Sequence, residues 1–284
     1  MTFSINLFTD LQTIWQYAFM QHAFEAGTIV AIVAGIVGFF VVLRRSSFAA
    51  HALSHIGFAG AAGAVLFGVD PILGLLAFTS CGGIAMALLG RRAAQRDVQI
   101  GTVLAFMLGL GVLFISLYSG YATEAYSILF GEILGISYGD VLVTLAASLV
   151  ILVAVAVVYR PLLFASLDED VAEAKGLPML ALGIIFMLLV AFATSISVQV
   201  VGVLLIFSLM VTPAAIAQRF ARRPLQGIII SVIIALAATW SGLFIAFYEP
   251  YPVSFFITSI VFGLYIIVIA LEWFNSKMIM HSRA

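Results

Sequence analysis

Eight or nine stretches of this chain are each long and apolar enough to cross a lipid bilayer, and that property decides what it can fold into. A spanning helix needs about 20 mostly apolar residues, because every backbone amide in hydrocarbon must find its partner within the segment. Candidate runs lie near 18–43, 48–68, 71–90, 98–118, 140–159, 179–198, 200–218, 225–247 and 252–273. They carry no ten-residue alternation punctuated by turns, as an outer-membrane barrel would. Composition agrees: 64% of the 284 residues are hydrophobic and 9% charged, against about half and a quarter in a soluble domain. A soluble enzyme, a nucleic-acid binder and a disordered chain are excluded together. The expected fold is all-α, a polytopic transmembrane bundle forming one domain over 1–284, since no hydrophilic stretch is long enough for a soluble domain.

The weakest division lies from Ser195 to Gly202, where a bend must come from modestly polar residues; without it the count is eight. The cations decide. Arg44 and Arg45 follow the first run, Arg91, Arg92 and Arg96 the third, and Arg160 and Lys175 the fifth. Arg219, Arg222 and Arg223 follow the seventh, and Lys277 and Arg283 the last. All 12 Lys and Arg therefore occupy alternate connections. Cationic loops stay cytoplasmic, which predicts nine crossings with the N terminus outside and the C terminus inside. Residues 1–17 lack the basic start and cleavage site of a signal peptide. They read as an amphipathic surface segment anchored by Trp15 and Tyr17. The lone Cys81 can form no intrachain disulfide and reads as a small buried hydrophobe.

Ionisable groups inside a bilayer are costly and mark candidate sites. His51 and His55, two of only four histidines, are four apart and so share one helix face. Two readings stand: a pair of ligands for a zinc-type divalent ion, completed by other donors, or histidines packed structurally near a helix end. The same spacing occurs in zinc proteases, but the Glu that would follow the first histidine is Ala52 here. No P-loop occurs either. Gly57, Gly60, Ala61, Gly63 and Ala64 continue the same run and allow neighbouring helices close, which predicts a central span.

Glu25 sits near the outer end of the first run, as an interface residue or as a cation attractor at an outer mouth. Asp97 and Gln99 open the fourth span, where an acid complements the helix dipole. Glu124, Glu132 and Asp140 lie in or beside the outer segment 119–139, with Gly131, Gly135 and Gly139 spaced for close packing; either a half-buried capping helix or a surface loop fits. Pro213 is expected to kink the seventh span. In the loop after the fifth span, Asp168, Glu169 and Asp170 fit the start of a short helix and Gly176 its stop before Pro178, with Leu167, Val171 and Ala172 as its apolar side.

These residues bring a family into view. The run Gly38–Arg45 leading into Ala52–His55, then Asp97–Gly101, Tyr159–Leu162, the loop Asp168–Pro178, and Gln199–Leu205 through Pro213–Ala215 occur in one order along nearly the whole chain. In that order they resemble the permeases of ABC importers for zinc, manganese or iron, and most of all the zinc-uptake branch. The resemblance implies a non-enzymatic, multi-pass subunit of the bacterial inner membrane that acts as a homodimer. Each copy would sit on a cytosolic ATPase subunit and receive metal from an extracytoplasmic binding protein, with no nucleic-acid partner. No cofactor is held permanently; zinc, or alternatively manganese or iron, is cargo. The resemblance makes Asp168, Glu169, Asp170, Glu173, Gly176 and Pro178 the coupling element, and His55 a metal position. At position 51 relatives usually carry Asp where this chain has His51, and an imidazole in place of an oxygen donor favours zinc. Three rivals fit less well. Permeases for iron–siderophore or cobalamin substrates are typically longer and need no histidine pair, a secondary transporter would show buried acids and repeats, and an intramembrane enzyme lacks its Glu.

Overall fold

In a computed structural model of the chain, residues 12–89, 93–118 and 131–281 are described, with backbone alone at 93–96 and 275–281. Ten helices follow in order: α1 (Ala18–Leu43), α2 (Ser47–Leu66), α3 (Pro71–Leu89), α4 (Ala93–Leu117), α5 (Tyr138–Leu167), α6 (Glu169–Ala174), α7 (Met179–Val201), α8 (Val203–Phe220), α9 (Pro224–Tyr248) and α10 (Val253–His281). All but α6 can cross a membrane, giving nine spans and no strand among the described residues. The eight-span alternative fails at one residue. Gly202 adopts φ 82° and ψ 164°, backbone that is essentially restricted to glycine. α7 therefore ends and α8 begins with no loop between them.

α1 is the central post and packs on α5, α7, α8 and α9, while α2 is enclosed by α3, α4, α7 and α8. That enclosure bears out the central place expected for the small-residue run of α2. α2 and α3 cross where Gly60 and Gly74 meet, so that a Cβ on either would strike the other's carbonyl oxygen. α1 and α8 cross as tightly, with Gly38 against the Met210 carbonyl. Hydrogen bonds pin further crossings. The Thr79 and Ser195 hydroxyls are 2.8 Å apart between α3 and α7. Ser231 Oγ donates to the Gly35 carbonyl at 3.0 Å, and Gln218 Nε2 to the Phe39 carbonyl at 3.0 Å.

Several expectations are corrected. α5 does not stop at 159: it runs through Arg160 and Pro161 to Leu167. Pro161 costs one backbone bond, but Val155, Leu162 and Ala165 continue one buried face and hold the extension in place. Asp97 lies a full turn inside α4, which begins at Ala93, so it is not a first-turn acid. Cys81 is exposed, because its face of α3 has no described neighbour. Pro213 is buried within α8, the seventh span, where it was expected to lie. Of the outer segment, residues 119–130, Glu124 among them, lie outside the described residues. Only Gly131 makes the expected close approach, against Val201 and Gly202, whereas Gly135 and Gly139 meet side chains or carbonyls of their own loop. Asp140 caps α5: its backbone N–H donates to Ser137 Oγ at 3.3 Å and its carboxylate accepts from the Ser137 N–H at 3.2 Å.

Candidate functional site

Because α2 is helical from Ser47, His51 and His55 fall about 6 and 12 Å along its axis on one face. Their rings stand edge to face with centroids 4.6 Å apart. Phe207 of α8 closes the other side of His51, 4.7 Å between centroids at 63°. Sequence reasoning missed Phe207. Its only signal was a place one turn after Gly202 on a stripe with Leu204, Val211 and Ala215. Both Nδ1 atoms are enclosed and without hydrogen-bond partners, so Nε2 is the nitrogen each ring offers. A lasting metal site normally anchors the second imidazole nitrogen on a carbonyl or carboxylate, which fixes the ring and raises its basicity. No described residue supplies that support here.

Among the described residues no third His, Cys, Asp or Glu joins the pair. Two imidazoles can replace part of a divalent ion's water shell, but they cannot hold it as a closed four-ligand site would. The arrangement fits brief ligation better than storage. The other candidates lie elsewhere. Glu25 borders a side groove walled by α1, α5 and α9, with no α2 or α8 residue in it. Asp97 is exposed, and Gln99 Oε1 is buried without a partner.

Toward the end of the bundle opposite Arg44 and Arg45, Asp70, Glu132 and Gln199 line a cavity of about 240 Å³ that also touches Ala61 of α2. Ala61 is about 9 Å beyond His55 along the same helix. Sequence analysis did not single out Asp70, and Gln199 entered it only within the stretch that carries the family resemblance; Asp70 caps α3 by accepting from the Ile72 N–H at 2.8 Å.

At the other end, α6 forms as expected. Asp168 Oδ1 accepts from the Val171 N–H at 3.0 Å. Gly176, at φ 82°, closes the helix: its N–H donates to the Glu173 carbonyl at 2.8 Å, and the Leu177 N–H reaches the Ala172 carbonyl at 3.1 Å. This paired closure is the left-handed stop that glycine favours. Pro178 then caps α7. The apolar side is only partly as expected. Ala172 is buried against Ala165 and Leu182, but Leu167 and Val171 are exposed, 64% and 42%. Glu169, Asp170 and Glu173 face a cavity of about 1050 Å³ shared with Arg44, Arg45 and Phe186.

The profile of the ABC 3 transport family matches residues 16–272. The manganese transport system membrane protein MntC of Listeria monocytogenes is 30% identical over 234 residues, 82% of this chain and 81% of its own. The manganese import system permease protein ScaB of Streptococcus gordonii is 28% identical over 238 residues, 84% and 85%. The structure of PsaBC from Streptococcus pneumoniae in complex with a Fab contains a similar chain, with a TM-score of 0.82, 28% identity, and coverage of 93% of this chain and 95% of that one. MntC and ScaB are named for manganese, which replaces the expected likeness to the zinc-uptake branch in particular and leaves the wider family likeness in place.

Proposed function

The chain belongs to the ABC 3 transport family, and on that premise we propose that it forms the membrane passage of a manganese importer. As a permease of an ABC metal importer it is a transport component and not an enzyme. Two functional partners follow from such a permease, an ATPase and a substrate-binding protein. What supports manganese is the name carried by relatives that match four-fifths of the chain. What supports ligation within the passage is the half-open imidazole pair on its most enclosed helix.

A second reading, zinc, draws on the same pair. Two nitrogen donors bind zinc more strongly than manganese, and the family resemblance puts an oxygen donor at position 51. Uptake of each metal into vesicles holding the whole importer decides between them. The expected result is manganese uptake that zinc inhibits at lower concentration, and a weaker zinc block in His51→Asp. Zinc uptake without manganese uptake overturns the manganese assignment.

The assembly has two copies of this chain, N termini outside, with α6 seated in a groove of each ATPase. The exposed Leu167 and Val171 supply its apolar contact and Glu169, Asp170 and Glu173 its charges. Asp168→Ala removes the cap of a six-residue helix, at a cost of about 1 kcal/mol. Substrate-stimulated ATP hydrolysis is then expected to fall several-fold while insertion and metal binding persist; unchanged stimulation removes α6 from the coupling path. For orientation, an impermeant thiol reagent is expected to reach Glu132→Cys but not Arg222→Cys in intact cells lacking Cys81, and the reverse pattern inverts the topology.

A further inference from the structure

The groove beside Glu25 has a volume of about 440 Å³ and lies between α1, α5 and α9. Phe24, Leu142 and Leu145 form its walls, and Trp15, Tyr138 and Trp240, each more than half exposed, stand around it. Its shape is fixed: Trp240 Nε1 donates to Thr28 Oγ1 at 2.9 Å, and the Trp240 ring meets Phe24 edge to face at 6.1 Å.

Depth and charge narrow what can occupy it. α1 is 26 residues long, about 39 Å, against a hydrocarbon core of about 30 Å. Arg44 and Arg45 mark one surface directly after its last residue. Glu25, about 10 Å from the other end, therefore lies where acyl chains give way to head groups. Trp and Tyr gather at that same level in membrane proteins. No described residue bonds or pairs with the Glu25 carboxylate, and in the sequence all 12 Lys and Arg fall in the connections that alternate with the one before α1. A carboxylate at this depth gains from a countercharge; no described Lys or Arg side chain borders the groove, and His22, one turn earlier on α1, has its ring against Tyr138 at 5.9 Å between centroids.

We propose that the groove binds a phospholipid with a primary-amine head group, its acyl chain along Phe24, Leu142 and Leu145 and its ammonium on Glu25. An anionic lipid would be repelled, a soluble amine would leave the walls uncovered, and one carboxylate among apolar side chains is a poor seat for a divalent cation. Only the leaflet, the outer one, rests on the orientation proposed above.

Two of the chain's three tryptophans, Trp15 and Trp240, line the groove, so their fluorescence reports its occupant. The full-length protein is placed in mixed vesicles in which either phosphatidylethanolamine or phosphatidylglycerol, at equal mole fraction, carries brominated, quenching acyl chains. A Trp15→Phe/Trp240→Phe variant supplies the Trp273 background. Brominated phosphatidylethanolamine is expected to quench the groove tryptophans about fivefold more per mole, the range of one partly exposed ion pair. Glu25→Gln brings that ratio to about one, and Glu25→Lys turns it toward the anionic lipid. Equal quenching by both lipids in the wild type overturns the proposal without recourse to any variant, as does an unchanged preference in Glu25→Gln. Neither outcome bears on which metal is carried.

Discussion

Replacing His55 with alanine is expected to lower metal uptake by at least about tenfold while leaving the protein inserted and its ATPase partner bound. Loss of support around a metal ligand typically costs tenfold to a hundredfold, and removing the ligand itself should cost no less. His55 is only half-buried and its Nδ1 bonds to nothing, so the substitution breaks no internal hydrogen bond. The ring contact with His51 is lost as well, and a His51→Ala variant separates the two effects. If both rings ligate one ion, the double variant is little worse than either single one, because each alone already dismantles the pair. Initial rates of radioactive manganese uptake in reconstituted vesicles read the outcome. A His55→Ala importer that works at the wild-type rate removes the histidines from the path.

The second large effect concerns assembly. In an exposed helix, Gly→Ala gains about 1 kcal/mol in propensity. At Gly38 that gain is overwhelmed, because the new Cβ would fall on the backbone carbonyl of Met210, which cannot swing aside as a side chain could. Forcing the helices apart costs about 1–3 kcal/mol for a methyl group and more for larger groups. Gly38→Leu is expected to yield little monodisperse protein, and Gly38→Ala a lower unfolding temperature in detergent. Gly263→Ala is the control: nothing stands within 4 Å of its Cβ, so stability should hold or rise. A Gly38→Ala protein as stable as this control would show that the α1–α8 crossing has room for a methyl group at Gly38.

The number of spans and most of their bounds were legible in the sequence, because hydropathy and charge placement are set by the bilayer and not by neighbouring helices. The end of α5 was not. Proline and arginine at 160–161 ordinarily announce a loop, and only the burial of Leu162 and Ala165 against other elements overrides them. Cys81 shows the same limit from the other side. An apolar run reveals that a helix is in the membrane, but not which of its faces meets protein. Within the candidate site, spacing placed His51 and His55 on one face correctly. Phe207, whose ring packs on His51, lies over 150 positions away in sequence, and no local pattern marks such a contact. Glu25 was visible as an anomaly, but its surroundings depend on how α5 and α9 straddle α1.

The single-residue joint at Gly202 has a mechanical side. α6 is separated from α7 by only Lys175 to Pro178, and α7 from α8 by Gly202 alone, so the three rods form a crankshaft with almost no slack. Any displacement of the short rod would have to reach α8 through α7 and the joint at Gly202, and Phe207, early in α8, carries the ring contact to His51.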